Sequence, residues 1–189
     1  DEIRSRGLGD VYKRQHVVYV VDTTQGTTSN RQKIYVNGVL QGRGDTISDP
    51  SQNATFDYFN NSSQTYYIGR RQSGNYFNGY LAEIHFIDGY AYDASYFGFT
   101  EQQTGIWKPK KVTGVTYGTN GFHLEFKDNS STSALGKDTS GNGHNFTTNN
   151  FSVTNGSTND SVEDTPTNNW ETLNPLHWNT LRGLSLIHI

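Results

Sequence analysis

Apolar residues in this chain come in short bursts, and polar stretches rich in glycine and asparagine separate them. Residues 16–22 (HVVYVVD) are almost continuously apolar, which predicts a strand covered on both faces. Residues 31–41 (RQKIYVNGVLQ) predict two short strands, 33–36 and 39–41. Asn37-Gly38 joins them, a pair that tolerates the positive φ angles of a type I′ hairpin turn. Residues 79–88 (GYLAEIHFID) predict a further strand, in which Tyr80, Ala82, Ile84 and Phe86 alternate with Leu81, Glu83, His85 and Ile87. Residues 65–70 (TYYIGR) and 122–126 (FHLEF) read as strands too. Residues 91–97 read as a short helix capped at Asp93 and stopped by Gly98.

Between these bursts, residues 42–64 read as a polar surface loop with one short element near 54–59. Residues 100–121 read as a linker or crossover and 127–145 as turns. Residues 146–153 read as one or two short strands. Residues 155–169 are polar, and Trp170 and Trp178 mark a docking segment. No stretch sustains a 3.6-residue apolar period, and the many short strands between Gly/Asn turns point to an all-β fold, a sandwich or barrel.

Composition narrows the functions open to such a fold. The 189 residues contain no cysteine, which excludes a disulfide framework, a thiolate metal site and a cysteine nucleophile. No apolar run has the length of a membrane-spanning helix. The net charge is −3 and no basic stripe runs along the chain, which argues against a nucleic-acid partner.

The two ends change the picture again. Residues 10–15 (DVYKRQ) are encoded by GAT GTG TAT AAG AGA CAG. The reverse complement of that string encodes Leu-Ser-Leu-Ile-His-Ile, the sequence of residues 184–189. This resembles the inverted end that a transposase leaves on sequencing fragments. The expectation is that 1–15 and 184–189 are translated adapter and that 16–183 is an internal piece of a larger protein. Arg4, Arg6, Lys13 and Arg14 are then no basic arm, and the absence of methionine has a cause.

The apolar bursts, in their order, carry a family resemblance. His16-Val-Val-Tyr, Ile34-Tyr-Val-Asn-Gly-Val-Leu, Tyr67-Ile-Gly-Arg and Tyr76-Phe-Asn-Gly-Tyr-Leu-Ala-Glu-Ile-His-Phe-Ile-Asp resemble the second half of a laminin-G-like, concanavalin A-type jelly roll, over residues 16–99. The resemblance implies an antiparallel jelly-roll sandwich, truncated at both ends. Asp138-Thr-Ser-Gly-Asn-Gly-His-Asn-Phe, after the 122–126 strand, is similar to the opening of the same family. Residues 122–183 therefore read either as the start of a second such domain or as strands returning to the first sheet. Thr104-Gly-Ile-Trp-Lys-Pro-Lys-Lys, Tyr117-Gly-Thr-Asn-Gly-Phe and Asp164-Thr-Pro-Thr-Asn-Asn-Trp are similar to structural or tail-associated proteins of marine bacteriophages. That similarity implies a virion or extracellular setting, with other virion subunits as partners.

The concanavalin A-type fold also hosts glycoside hydrolases, whose retaining members need two carboxyls roughly 5–5.5 Å apart. Strand alternation puts Glu83, His85 and Ile87 on one face and Asp88 on the other. The catalytic pair is broken, and no enzyme activity is expected. The histidines show no zinc-type spacing and read as strand or loop residues. Laminin-G-like modules often hold Ca²⁺ through loop oxygens, and Asp22, Asp45, Asp138 and Asn142 are the candidate ligands. Arg43-Gly44-Asp45 reads as an ordinary turn.

Exposed tyrosines beside arginine and asparagine suit sugars, whose rings stack on aromatic faces while their hydroxyls take hydrogen bonds. Tyr66, Arg70, Arg71, Asn75, Tyr76, Tyr90 and Tyr92 form that candidate set, although tyrosine also favours half-buried strand positions for packing alone. Three readings follow from the resemblance. The first is a non-catalytic module binding glycan or host-surface polymer on a phage particle. The others are a purely structural virion domain and an accessory module of a secreted glycan-active enzyme. Residues 16–183 alone are expected to aggregate, because half a sandwich leaves apolar surface and strand edges uncovered.

Overall fold

The computed structural model describes residues 15–42, 48–55, 65–71, 74–156 and 159–161. The expected element near 54–59, the tryptophans at 170 and 178, residues 1–14 and the terminal 184–189 lie wholly or largely outside the described residues. Among the described residues every strand pairing is antiparallel, and one helix of four residues, α1 (Thr132–Leu135), is present.

The first sheet runs β1 (Val17–Val21), β2 (Gln32–Val36), β3 (Val39–Leu40) in that spatial order. Its register sets Tyr19 opposite Ile34, and Val36 opposite both Val17 and Val39. The hairpin turn forms at Asn37-Gly38 as the sequence predicts, with φ of 49° and 76°. Arg31 is buried at the start of β2, and its guanidinium donates to the carbonyls of Gln25, Gly26 and Pro50. That clamp closes the polar loop between β1 and β2.

One expectation for this sheet fails. The apolar run of β1 predicts a strand covered on both faces, yet Val17 is 58 % exposed and Tyr19 42 %, with Ile34 and Val39 beside them at 39 % and 64 %. No second layer covers that face among the described residues, so an apolar composition here does not mean burial.

Two smaller sheets follow. β4 (Ile84–Phe86) pairs with β7 (Phe122–Leu124), and β5 (Gly98–Thr100) pairs with β6 (Trp107–Pro109). Residues 122–124 thus share a sheet with residues 84–86. The stretch expected as a linker or crossover, 100–121, supplies β6. The predicted helix at 91–97 is a single 3-10 turn, Ala94–Tyr96, capped by Asp93 through the Ser95 N–H; Gly98 then begins β5 rather than a loop. The strand expected over 79–88 is limited to Ile84–Phe86, since Glu83 adopts φ of 50°, outside the extended region. The 122–126 strand ends at Leu124 for the same reason, with Phe126 at φ of 54°. Residues 65–70 form no strand; they contribute one isolated bridge, Arg70 to Tyr76. Residues 146–153 also stay outside any strand.

Among the described residues the buried apolar ones are few: Ala94, Phe97, Leu124 and Leu135. An aromatic seam joins the first sheet to the rest. The Trp107 indole lies against the Asn37-Gly38 turn, where any side chain on Gly38 would meet the ring at 2.2 Å. Its Nε1–H donates to His16 Nδ1 at 3.2 Å, and Phe97 stands 6.5 Å from His16 and 5.6 Å from His85 between ring centroids.

This seam is sensitive to acid. Burial holds the His16 pKa below its ordinary value of 6.5, and only the neutral ring accepts from Trp107. The stability contributed by the neutral ring is complete above the unfolded value and is lost as pH falls towards the lower folded value. Tryptophan emission and the urea midpoint should therefore both shift on acidification below pH 6.5. His16→Asn keeps an acceptor near Nδ1 but does not titrate, so it should reduce the dependence of the tryptophan emission and of the midpoint, the part that remains coming from His85, whose pKa burial also lowers; an unchanged dependence would refute the assignment.

Candidate functional site

The loop between the 65–71 segment and β4 builds an open hollow. The bridge between Arg70 and Tyr76 is closed by a tight turn, in which Gly74 N–H donates to Arg71 O and Arg71 N–H to Asn75 O. Phe77 N–H donates to Gly69 O and returns the chain alongside. These bonds put Arg70, Arg71, Asn75, Tyr76 and Phe77 around one depression of about 320 Å³. The Arg70 guanidinium sits 4.0 Å from the centre of the Tyr67 ring, a cation–π contact that fixes its plane. Tyr76 is 71 % exposed and Phe77 55 %, so their rings face solvent.

Four of the seven sequence candidates, Arg70, Arg71, Asn75 and Tyr76, therefore line one hollow. Tyr66 is exposed nearby in sequence but does not line it. Tyr90 and Tyr92 do not either. They stack on each other at 5.9 Å, Tyr92 meets Tyr96 at 4.6 Å, and the Tyr92 hydroxyl accepts from Thr116 N–H.

Of the oxygens proposed for Ca²⁺, those of Asp22 and Asp138 are engaged within the protein. Asp22 accepts from Thr24 N–H and Oγ1 on one oxygen and from Gln25 Nε2 on the other. Asp138 is 7 % exposed; Oδ1 accepts from His123 N–H and Ser140 N–H, and Oδ2 from Ser140 Oγ and His144 N–H. Asn142 turns its amide nitrogen onto the carbonyls of Gly118 and Gly121. Asp45 lies outside the described residues. Asp22 and Asp138 therefore do not fit a calcium site as they stand, because an ion there would first have to displace donors the fold already uses.

A different group converges where the sequence suggested none. His85 and His123 are direct cross-strand partners in the β4–β7 pair, and their rings stack at 4.0 Å with planes 15° apart. The φ of 50° at Glu83 takes it off the strand and brings its Oε2 to 2.9 Å from His123 Nε2 and 3.9 Å from His85 Nε2. The outer nitrogens are held as well: His85 Nδ1 lies 2.7 Å from the Tyr117 hydroxyl, and His123 Nδ1 lies 2.9 Å from Thr139 Oγ1. Burial, with the neighbouring His123 charge as a second cause, lowers the His85 pKa to about 4. Burial and the Glu83 charge raise Tyr117 to about 12.

The histidines read as scattered in the sequence because 35 residues of loop and hairpin separate the two strands. The available signal was that each histidine sits at the centre of a short strand, so pairing the two strands sets them opposite.

Residues 8–93 match the family model of the laminin-G type within the concanavalin A-like lectin/glucanases superfamily. Over those residues the chain is concanavalin A-like, and among the described residues the fold class is all-β with antiparallel sheets. The match takes in β1–β3, the Arg70–Tyr76 hollow and β4, and it begins eight residues before His16, within the stretch expected to be adapter. Neither the curated proteins nor the solved structures compared with the chain give a match. A concanavalin A-like domain of this type is, in general, a carbohydrate- or ligand-binding module.

Proposed function

We propose that this chain is a non-catalytic module that binds a glycan or a host-surface polymer through the Arg70–Tyr76 hollow. The supporting observation is the combination, in one open depression, of a solvent-facing tyrosine, an oriented guanidinium, a second arginine and an asparagine. Aromatic faces take the apolar side of a sugar ring, while the planar guanidinium and the amide hydrogen-bond its hydroxyls. The hollow is open and shallow, which suits a chain polymer passing over the surface more than a small molecule enclosed by it. No catalytic role is proposed: among the described residues, the hollow's lining holds no carboxylate to serve as acid or nucleophile. The phage-particle setting belongs to this proposal on the strength of the sequence resemblance alone.

A glycan array probed with the folded 189-residue chain tests the reading. Binding is expected, and Tyr76→Ala should weaken it about tenfold, the scale of one lost aromatic stacking contact. A folded chain that binds no glycan would overturn it.

A second reading, a structural domain making contacts between virion subunits, has its own support in the exposed apolar face of β1–β3 at Val17, Tyr19, Ile34 and Val39. Concentration-dependent self-association that Val39→Lys abolishes, with no glycan bound, would favour that reading over the first.

A further inference from the structure

We propose that Glu83, His85 and His123 form a binding site for a divalent transition-metal ion of the zinc type. Among the described residues this is the one group of three histidine or acidic side chains whose ligand atoms lie together, all within 4.8 Å of one another. A tetrahedral ion with bonds near 2.0–2.1 Å separates its ligand atoms by about 3.3 Å. The Glu83 oxygen stands 2.9 Å from one Nε2 and 3.9 Å from the other, on either side of that value. Small side-chain rotations would bring all three onto one ion.

The surroundings match what imidazole ligands need. A ligating histidine donates its other ring N–H to an oxygen, which fixes both tautomer and ring plane. Here the Tyr117 hydroxyl and Thr139 Oγ1 stand at the two Nδ1 atoms, at 2.7 Å and 2.9 Å, so both Nε2 atoms are left for the ion. Thr139 Oγ1 is further placed at 3.3 Å from the His123 carbonyl.

The donor set also decides the class of ion. Two imidazole nitrogens and one carboxylate suit Zn²⁺ and its neighbours in the first transition row, whereas Ca²⁺ and Mg²⁺ ask for oxygen alone. The His85 and His123 side chains are 10 % and 13 % exposed and that of Glu83 is 40 %, so a bound ion would be anchored in the sheet and open on the glutamate side. Three protein ligands leave a fourth position for water or an outside ligand.

The untagged chain is titrated with Co²⁺, followed by visible d–d absorption, and Zn²⁺ is then added as competitor. One bound equivalent is expected, displaced by Zn²⁺. Glu83→Gln and His123→Gln should each weaken it by roughly tenfold or more, while His144→Gln, whose imidazole bonds the Thr119 carbonyl, should leave it unchanged. Far-UV circular dichroism accompanies each variant. Should His123→Gln not fold, Glu83→Gln, altering a part-exposed side chain, carries the comparison. No Co²⁺ binding by the folded chain, or equal affinity in folded Glu83→Gln, would show that these residues form only a hydrogen-bonded histidine pair and would overturn the proposal.

Discussion

Replacing Asp138 with alanine is expected to cost about 3–5 kcal/mol of unfolding free energy, because it removes a buried charged acceptor from several donors at once. The carboxylate is 7 % exposed and accepts four hydrogen bonds, three from backbone N–H groups of His123, Ser140 and His144 and one from Ser140 Oγ. Burial by itself raises the Asp138 pKa, yet the His123 and Ser140 hydrogen bonds outweigh it and the net shift is downward, so the charged form is the one the fold holds. The same residue anchors the isolated bridge to Leu124, the most deeply buried side chain among those described. Its loss would free the 138–146 loop and the end of β7 together. Asp138→Asn keeps one oxygen but turns an NH₂ group towards an N–H donor, so its loss should be intermediate. Urea unfolding followed by circular dichroism measures both. If Asp138→Ala shifts the midpoint no more than Asp22→Ala, whose carboxylate bonds only within its own loop, then water replaces the carboxylate and the argument fails.

Asp138 also shows what the sequence could and could not disclose. Asp138-Thr-Ser-Gly-Asn-Gly reads equally as a string of hard oxygens for a cation and as a turn that consumes those oxygens itself. Which of the two holds depends on whether the neighbouring N–H groups point inward, and that is a property of backbone angles rather than of composition. Local pairings were legible for the opposite reason. Asn37-Gly38 needs nothing beyond its own φ preferences to close a hairpin, and Asp93 needs only Ser95 two residues on to cap its turn.

The failures share one origin. Residues 79–88 alternate well enough to predict ten residues of strand, yet pairing with β7 extends only over Ile84–Phe86, and Glu83 leaves the extended region. A strand ends where its partner ends, and 35 residues separate this strand from its partner along the chain. The Glu83–His85–His123 group was hidden by that same distance. The Arg70–Tyr76 hollow was accessible because its residues are near neighbours in sequence and its turn is closed by its own bonds, whereas Tyr90 and Tyr92 went to a separate aromatic stack. Local chemistry could be read directly; chemistry made by strand pairing required the pairing.

The second large effect falls on that pairing. Gly121→Ala is expected to destabilise the chain by about 3 kcal/mol, the upper part of the range for forcing an extra carbon into packed surroundings. Gly121 is buried just before β7, and a Cβ there would lie 1.9 Å from the Tyr117 carbonyl oxygen and 2.8 Å from that of Phe86. Neither oxygen can swing aside as a side chain would. The Tyr117 carbonyl accepts from Asp88 N–H at 2.9 Å, and Phe86 is paired with Phe122 across the sheet. Relief must come from parting β4 and β7, which would also pull the Tyr117 hydroxyl from His85. Gly26→Ala is the matched control: nothing lies within 4 Å of its Cβ position, so its effect should stay within about 0.5 kcal/mol. Urea midpoints for the two variants, with the near-ultraviolet dichroism of the tyrosines, test the comparison. Equal midpoints would mean that the two carbonyls do not press on Gly121 in solution and that the β4–β7 pair has room to spare.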